Sequence, residues 1–280
     1  MRVLVFGAAG QLGAETVRYW RAGGHVVEPL TRRELDVTSA SAVTAAVDAA
    51  RADVVVNCTA YNRVDDAELD PGAALAVNTW AVKAMSAALR DRDAVFVHYS
   101  TDFVFDGMTD RPYVETDAPN PQSTYGMSKL LGEWLAADVP RHYVLRVESL
   151  FGGQAARSSL DTMLRNMRSG APVTAFADRI VSPSYVADVA QATWRLITQP
   201  APFGLYHCVN SGMASWLEVA GYVREVAGLP DAEIRGVPSA SVNLRARRPR
   251  FAALSNAKLG SVGILMPTWQ DAVARHIAST

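Results

Sequence analysis

The sequence predicts an α/β protein with a doubly wound parallel sheet and a smaller C-terminal lobe. In residues 1–150, short apolar runs alternate with amphipathic stretches, and this alternation is typical of parallel strands joined by helices. The runs are nearly continuous, which indicates strands that are covered on both faces. After Phe151 the alternation breaks and Gly and Pro become frequent, which indicates a second lobe.

Each element of the first half follows from a local pattern. A glycine-rich turn separates the first strand from the first helix, Gly23-Gly24 ends that helix, and Thr38 or Ser39 can cap the second helix. The predicted strands cover residues 2–6, 25–30, 53–58, 94–100 and 143–147. Four helices are predicted between these strands. The first ends near residue 21 and the second near residue 51. The third follows Pro71, and the fourth covers about residues 125–137.

The second half is predicted to be mixed. Helices are expected at about residues 160–168, 186–198 and 216–226, with a short strand at 205–209. The helix at 186–198 is expected to return to the first domain. The first domain therefore comprises residues 1–150 and about 185–200, and the smaller lobe comprises residues 151–184 and 201–280.

Composition argues against several classes of protein. The 27 Lys and Arg residues balance 28 Asp and Glu residues, and nucleic-acid or membrane binding normally needs a basic excess, so neither is expected. No apolar run reaches the ~18 residues of a membrane span, and the N-terminus lacks the pattern of a signal peptide. Cys58 and Cys208 lie in apolar runs and are expected to be reduced, which indicates a cytoplasmic location. No Cys or His cluster has metal-ligand spacing, so no metal is expected.

A glycine-rich loop lies directly between the first strand and the first helix. Gly7, Gly10 and Gly13 form a G-x-x-G-x-x-G pattern. Glycine lets the backbone approach a diphosphate closely, and the helix N-terminus offers free N–H groups to the phosphate oxygens. A tight turn without a ligand would need the same glycines, but the placement between strand and helix favours dinucleotide binding at Gly7, Gly10, Gln11 and Leu12.

The residues after the second strand discriminate between the two nicotinamide cofactors. An acidic residue at this edge favours NAD, whereas a basic residue favours the 2′-phosphate of NADP. Arg32 and Arg33 occupy the edge, and Glu28 lies slightly earlier. We therefore expect NADPH, with NADH as the alternative. Asp36 and Val37 follow where contacts with the adenine are expected.

Tyr125 and Lys129 are four residues apart on the helix predicted at 125–137. Residues at this spacing share a helix face. A cation near the phenol favours the phenolate, so the pKa of Tyr125 is expected to be lowered, and the phenol can then donate a proton to a carbonyl oxygen. A surface tyrosine that packs on a lysine stem would show the same spacing.

Thr101 ends the fourth predicted strand. Ligands of a doubly wound sheet bind beyond the carboxyl ends of its strands, so the Thr101 hydroxyl is placed to bind a substrate carbonyl. A hydroxyl that only caps the backbone would fit the same position.

Motifs along the whole chain occur in one combination. The segments are FGAAGQLG at 6–13, AY at 60–61 with VDDAE at 64–68, STDFVFDG at 100–107, YGMSK at 125–129 with GE at 132–133, and RP at 248–249 followed by Leu254, Lys258, Leu259 and Trp269. This combination resembles the extended short-chain dehydrogenase/reductase superfamily. Within it, the chain is most similar to the dTDP-4-dehydrorhamnose reductase (RmlD-like) family.

The resemblance implies a Rossmann fold with a C-terminal substrate-binding lobe. It implies transfer of hydride from NADPH or NADH to C4 of a nucleotide-linked (dTDP) 4-keto-6-deoxyhexose. Thr101, Tyr125 and Lys129 would form the catalytic set, with Asn78 in a supporting role. The resemblance also implies cofactor contacts at Ala60 and Tyr61, and substrate contacts at Val64, Asp102, Phe103 and Ser149.

Three departures from the family pattern are expected to lie on the substrate side. The family reads Arg-x-Ser-Trp-Val-Tyr-Gly after the fifth strand, whereas residues 146–152 read RVESLFG, with Ser149 in place of the tryptophan. The Asp-Gln-x-Gly-x-Pro-Thr segment appears as DRIVSPS at 178–184, and Ala252 replaces a serine. Because the cofactor and proton-transfer motifs are kept, we expect the reaction to be retained and the sugar to differ, as in a specialised pathway such as antibiotic glycosylation.

Arg248 lies in a dense basic cluster at residues 245–250. A nucleotide sugar carries a diphosphate, and guanidinium groups suit bidentate phosphate contacts, so Arg248 is the predicted diphosphate ligand. A solvated loop would show the same charges.

Two alternatives to the reductase remain. The first is a nucleotide-sugar dehydratase or epimerase of the same superfamily. Dehydratases of this kind typically carry Thr-Asp-Glu, but Phe103 follows Asp102 here, so the second carboxylate of that motif is absent. A regulatory subunit that only binds dinucleotide would resemble this chain without needing Tyr125 and Lys129. Homodimers are common for such folds, so a second copy of the chain is a candidate partner besides the nucleotide sugar.

Overall fold

The protein is described by a computed structural model that covers residues 1–154 and 157–280. The strands are β1 (Arg2–Phe6), β2 (Val26–Leu30), β3 (Val54–Asn57), β4 (Val95–Thr101), β5 (His142–Val147), β6 (Leu150–Phe151), β7 (Val173–Phe176), β8 (Ile180–Val181), β9 (Ser184–Tyr185), β10 (Gly204–His207), β11 (Ala214–Ser215) and β12 (Ile234–Val237). The helices are α1 (Gln11–Ala22), α2 (Ala40–Ala50), α3 (Val64–Ala67), α4 (Pro71–Leu75), α5 (Ala81–Leu89), α6 (Thr124–Ala136), α7 (Ser159–Arg168), α8 (Val186–Thr198), α9 (Trp216–Val226), α10 (Ala257–Ser261) and α11 (Trp269–Ala278).

In the described part of the chain, six parallel strands form the central sheet in the order β10–β5–β4–β3–β1–β2. Every residue of β3 and β4 is buried, as their continuous apolar runs predict. The chain runs outward from β1 to β2 on one side and from β3 to β10 on the other. This reversal between β1 and β3 opens a crevice at the carboxyl ends of the strands, where doubly wound sheets bind ligands.

Helices cover both faces of the sheet because alternate side chains of each strand point to opposite faces. On one face, Val3 and Val54 pack with α1 and α8 in a core that includes Leu196. On the other face, Leu4 and Val55 belong to a core with side chains of α2 and α5. The Trp20 indole N–H donates to Ala190 O at 3.2 Å, so α8 is joined directly to α1.

A buried ion pair joins α6 to the sheet. The Arg146 guanidinium on β5 donates to both carboxylate oxygens of Glu133 on α6, at 2.8 and 2.7 Å. Only 3% and 6% of the two side chains are exposed. The Ser100 hydroxyl on β4 donates to the same carboxylate, so one acid holds α6 against two adjacent strands.

The smaller lobe is built from short strand pairs and helices. The pairs are β12–β7, β11–β8 and β6–β9, and α7, α9 and α11 surround them. A separate apolar core fills this lobe, with Leu160, Val219 and Trp269 among its buried members.

The structure corrects three details of the predicted organisation. β10 lies in the range assigned to the smaller lobe but pairs with β5 in the central sheet. The helical stretch after Pro71 contains a π-helical turn at Ala76–Trp80, and such turns often occur at functional sites. The short strands of the smaller lobe and α11 had no predicted counterpart; the strands β6, β8, β9 and β11 have only two residues each, which is too short for a readable periodicity.

Within the described residues 1–154 and 157–280, the structure contains no helix that is both long and apolar enough to cross a membrane.

Glu133→Gln is expected to lower the free energy of unfolding by about 3 kcal/mol or more, because it leaves the Arg146 charge buried without a counter-charge. Urea unfolding measures the loss. The matched control is Glu225→Gln on the exposed side of α9, which should change stability by less than about 0.5 kcal/mol. Equal midpoints for the two variants would contradict a dependence of the fold on the buried pair.

Candidate active site

The glycine loop has the close backbone packing that its pattern predicts. Gly7 has φ +77°, and a Cβ there would lie 2.8 Å from the Cys58 carbonyl carbon at the end of β3. A Cβ on Gly13 would lie 2.3 Å from Gly7 O. The strand, the loop and the helix are therefore in direct backbone contact, as expected for a loop that binds a diphosphate.

The first turn of α1 faces this loop. Gly10 precedes α1 and provides no side-chain cap, so the amide groups of Gln11 and Leu12 are available to a phosphate. The Gln11 side-chain amide donates to Gly152 O at 2.9 Å, beyond β6. The helix turn that is predicted to bind phosphate is thus tied to a loop of the smaller lobe.

The edge after β2 is exposed and basic. Arg32 and Arg33 are exposed, and the Leu30 carbonyl just before them accepts hydrogen bonds from the amides of Gly7 and Ala8. Asp36 accepts hydrogen bonds from the amide and hydroxyl of Thr38, which lower its pKa and keep it ionised. Val37 is partly buried against the core behind α2. The predicted adenosine contacts Arg32, Asp36 and Val37 therefore follow one another on the segment next to the glycine loop.

Asn78 clamps the segment after β3. Its side-chain oxygen accepts from Tyr61 N at 2.9 Å, and its amide donates to Tyr61 O at 3.1 Å and to the Ser128 hydroxyl at 2.9 Å. Asn78 lies in the π-helical turn, and Ser128 lies on α6. This clamp positions Ala60 and Tyr61 relative to the helix that carries Tyr125 and Lys129, without itself contacting a reacting group.

Thr101 and Tyr125 lie together at the carboxyl end of β4. The Thr101 hydroxyl donates to Asp102 Oδ1 at 2.9 Å and accepts from Phe103 N at 3.2 Å. The Thr101 side chain lies close enough to lower the pKa of the Tyr125 phenol against the larger effect of burial. The Phe103 ring packs edge-on against the Tyr125 ring with centroids 5.4 Å apart.

The predicted lowering of the Tyr125 pKa is wrong. Burial raises the pKa of Tyr125 to about 12, the Asp102 charge adds to this increase, and Lys129 is not among the groups that act on the phenol. Tyr125 is therefore a neutral phenol at physiological pH and carries the proton that a carbonyl reduction needs.

Lys129 is buried behind Tyr125. Its ammonium group donates to Tyr99 O at 2.6 Å, and burial lowers its pKa to about 8. The Glu133 charge opposes that decrease, so the buried acid of α6 helps to keep Lys129 protonated. With one acceptor bound, the ammonium group retains further N–H donors for a ligand.

A cavity of about 510 Å³ opens beside Asp102 and Phe103 on the side of the smaller lobe. Asp102 is the only carboxylate among the described residues that line it, whereas three arginines contribute to its wall. Ser149, which stands where the family has tryptophan, also lines the cavity. Its backbone has φ +44°. The arginines and two aromatic side chains of the wall are Arg157, Arg179, Arg248, Phe176 and Trp216.

Arg248 lines the cavity, but its charge is already paired. Its guanidinium donates to both oxygens of Asp65, at 3.0 and 2.6 Å, and lowers the pKa of that acid. Val64 begins α3 next to Asp65 and is not among the described residues of the cavity wall.

The sequence analysis missed Arg179 and Glu148. Arg179 occupies the position of the family's glutamine and lines the cavity, and its charge lowers the pKa of Asp102. Glu148 follows β5, and the Asp102 charge adds to the burial that raises its pKa. Phe103 still stands where a dehydratase of this superfamily would carry the second acid of its motif. The sequence carried a signal for Arg179 and Glu148, because each places a charged side chain where the family pattern has a neutral one.

Ala252, by contrast, does not face the cavity. It is buried in the core of the smaller lobe, so this departure from the family pattern is not on the substrate side.

Within residues 1–154 and 157–280, no group of three or more His, Cys, Asp or Glu side chains is arranged to hold a metal ion.

The parallel sheet, the glycine loop, Thr101 at the end of β4 and the Tyr125–Lys129 pair on α6 define a dinucleotide-dependent oxidoreductase of the short-chain dehydrogenase/reductase class. A family model described as the RmlD substrate binding domain matches residues 1–280. The chain belongs to this family.

Curated relatives cover nearly the whole chain. A dTDP-4-dehydrorhamnose reductase of Burkholderia thailandensis is 36% identical over 98% of this chain and 97% of its own length. A dTDP-4-keto-6-deoxy-D-glucose reductase of Streptomyces niveus is 33% identical over 94% of this chain and 91% of its own. A solved dTDP-4-dehydrorhamnose reductase of Bacillus anthracis, in complex with NADP, has a TM-score of 0.95 at 29% identity and covers 100% of this chain and 99% of that chain.

Gly7→Ala is expected to weaken both stability and NADPH binding, because its Cβ would collide with the end of β3. Gly24→Ala is the matched control, since Gly24 has φ +80° and no atom lies within 4 Å of the place that its new methyl group would occupy. Both variants carry the ~1–2 kcal/mol strain of a left-handed alanine, and Gly7→Ala adds about 1–3 kcal/mol of overpacking. Thermal unfolding and NADPH fluorescence titration measure the difference, and identical behaviour would contradict the close approach.

Proposed function

We propose that this protein reduces the C4 ketone of a dTDP-linked 4-keto-6-deoxyhexose with NADPH, using Thr101, Tyr125 and Lys129. The observation that carries the proposal is the placement of a neutral Tyr125 phenol near Thr101 at the carboxyl end of β4, beside a basic cavity. A carbonyl oxygen bound there meets a proton donor and a second hydroxyl.

The residues present fit a dinucleotide. The backbone cradle at Gly7, the uncapped first turn of α1 and the exposed Arg32 suit its diphosphate and 2′-phosphate. The buried Lys129 ammonium group suits a ribose hydroxyl. When bound, NADPH supplies the hydride for the reaction.

The protein's own groups manage the proton. Thr101 orients the carbonyl oxygen, and Tyr125 holds its proton until that oxygen becomes basic. A phenol with a pKa of about 12 stays protonated throughout the physiological range and donates only when negative charge develops on the substrate oxygen. Lys129, with a pKa of about 8, is charged at neutral pH and loses its charge above that pH.

The cavity suits the diphosphate and the base of a nucleotide sugar. Arg179 is the stronger candidate for a phosphate contact, because Arg248 is already bound by Asp65, and Trp216 offers a face for stacking. The named relatives reduce dTDP-linked ketosugars of more than one kind. Ser149 and Arg179 change the wall of this cavity, which supports a sugar other than the rhamnose precursor.

We extend the proposal to the organisation of the chain. Residues 1–150 with about 185–200, together with β10, bind the dinucleotide, and the rest of the chain binds the sugar. The two free cysteines, Cys58 and Cys208, support a cytoplasmic location. A homodimer stays a prediction.

The two alternatives have less support. A dehydratase would need a second carboxylate facing the substrate, but Glu148 lies outside the cavity wall and its Oε2 is bound by Ser182 N at 2.7 Å. A regulatory subunit has no need for a neutral Tyr125 phenol beside Thr101 or for the buried Lys129 ammonium group.

Loss of reduced-nicotinamide absorbance with NADPH and dTDP-4-keto-6-deoxyglucose tests the function directly, with and without a 3,5-epimerase. Oxidation only with the epimerase identifies an L-sugar reductase of the rhamnose type. Oxidation without it identifies a D-series reductase. No oxidation in either mixture, with NADPH binding intact, would contradict this substrate class.

Tyr125→Phe is expected to lower kcat by about 10²–10⁴-fold, because the proton donor is removed while the ring remains. The Kd for NADPH should be unchanged within about twofold, since the phenol is not its main anchor. Stopped-flow single turnovers and fluorescence titration measure the two quantities. Full activity in this variant would end the proposed mechanism.

Arg32→Ala is expected to raise the KM for NADPH by roughly tenfold and to leave the KM for NADH unchanged, because a charge-assisted contact with the 2′-phosphate is lost. Arg33→Ala is the control, since it removes the neighbouring exposed charge. Steady-state kinetics with both cofactors measure the ratio. Equal losses with NADPH and NADH would contradict a 2′-phosphate contact at Arg32.

A further inference from the structure

A buried polar pair lies inside the central sheet. Asn57 at the end of β3 is in register with His98 on β4, and neither side chain is exposed. The residues two positions earlier on the same two strands, Val55 and Phe96, belong to the apolar core behind α2 and α5. Polar side chains in such a core need hydrogen bonds to offset the loss of water, so their partners are informative.

The hydrogen bonds of Asn57 fix the role of each atom in the pair. Asn57 Oδ1 accepts from Thr59 N at 2.9 Å and from the Thr59 hydroxyl at 2.5 Å. The Asn57 amide nitrogen therefore faces His98, and it lies 3.1 Å from Nδ1 of the ring. Because an amide nitrogen can only donate, Nδ1 accepts and the ring proton is on Nε2.

The other ring nitrogen shows that stability alone does not account for His98. Its Nε2 is buried and has no hydrogen-bond partner within residues 1–154 and 157–280. A buried donor without an acceptor is costly, and an apolar side chain of similar size would avoid this cost. Burial and the Lys129 charge hold the pKa of His98 well below its usual range, so the ring is uncharged and Nδ1 keeps its lone pair.

The bond to Thr59 reaches the glycine loop. A Cβ on Gly7 would lie 2.8 Å from Thr59 N, the same amide that donates to Asn57. The backbone after β3 is therefore in direct contact with the loop that is proposed to hold the diphosphate. A rotation of the Asn57 side chain would release this backbone from its hydrogen bond.

The far end of the same segment is held independently. Asn78 binds both the amide and the carbonyl of Tyr61. A Cβ on Gly132 of α6 would lie 2.3 Å from Asn78 O and 3.3 Å from His98 Nε2, so this glycine lets α6 pack closely on both. The segment is thus fixed at one end by Asn78 and at the other by the pair that contains His98.

We propose that His98 is a positioning residue for the dinucleotide, whose Nδ1 holds the Asn57 amide and thereby keeps the backbone of residues 58–61 against the glycine loop. The proposal rests on the proposed function, in which Ala60 and Tyr61 contact NADPH. His98 acts through Asn57 and touches neither ligand.

His98→Leu tests the proposal, because leucine fills most of the space and removes the acceptor. We expect the Kd for NADPH to rise about tenfold, as the Asn57 amide loses its partner and no longer fixes Thr59. The kcat at saturating NADPH should stay within about twofold. His98→Asn keeps an acceptor at the δ position and should recover the Kd to within about threefold of wild type. Fluorescence titration and steady-state kinetics measure these quantities.

Phe96→Leu is the matched control, since Phe96 is buried on the same face of β4 and makes no hydrogen bond through its side chain. It should lower the midpoint of thermal unfolding and leave the Kd for NADPH unchanged. Equal Kd values for His98→Leu and Phe96→Leu would overturn the proposal, and so would a His98→Asn protein that binds NADPH as weakly as His98→Leu.

A double-mutant cycle tests whether His98 acts through Asn57. Asn57→Ala removes the bonds to Thr59 directly and should itself raise the Kd for NADPH. Adding His98→Leu to Asn57→Ala should then raise the Kd no further. Effects that multiply in the double variant would overturn an action through Asn57.

Nitrogen NMR of the wild type, labelled at histidine, gives a readout that does not depend on whether His98→Leu folds. The His98 ring, assigned by the signals lost from His98→Asn, should carry its proton on Nε2 at neutral pH. A proton on Nδ1 would overturn the proposal. A wild type that binds NADPH but oxidises none with ketosugars would contradict only the proposed function, because the Kd comparison stands. A wild type that does not bind NADPH would overturn both.

Discussion

The buried pair of Arg146 and Glu133 is the interaction on which the site depends most. Desolvating two charges is costly, and the cost is offset here by two direct hydrogen bonds and by the Ser100 hydroxyl. Arg146 also lies over the Phe105 ring at 4.8 Å, so the segment after β4 packs on the same cation. Tyr125, Lys129 and Glu133 follow at four-residue intervals on one face of α6. Fixing Glu133 therefore fixes the height and rotation of both residues proposed to act on the ligands.

Much of the fold could be predicted because strongly apolar strands and capped helices carry local signals. The helices α8 and α9 begin and end where their patterns predict, and Ser39 caps α2 as expected. The π-helical turn around Asn78 has no such signal, since its composition resembles that of an ordinary helix. The two-residue strands of the smaller lobe are likewise determined by tertiary packing and not by their own sequence.

The candidate site divides in a similar way. Glycines, a strand-end threonine and a Tyr–Lys pair are recognisable by their spacing, so their positions could be predicted residue by residue, while their roles stay predictions. The charge state of the residues that line the cavity could not be predicted, because it depends on which side chains meet in the folded chain. Arg248 was predicted to bind the diphosphate and is paired with Asp65, and the raised pKa of Glu148 depends partly on Asp102 at the end of the adjacent strand.

The hydrogen bond from Gln11 to Gly152 O has a consequence for the order in which ligands act. One end of this bond begins the helix that is proposed to bind the phosphates, and the other follows Leu150, which lines the cavity. A ligand that orders either end lowers the conformational entropy that the other end has still to lose. Because such coupling is reciprocal, dinucleotide and sugar are expected to strengthen each other's binding to the same extent.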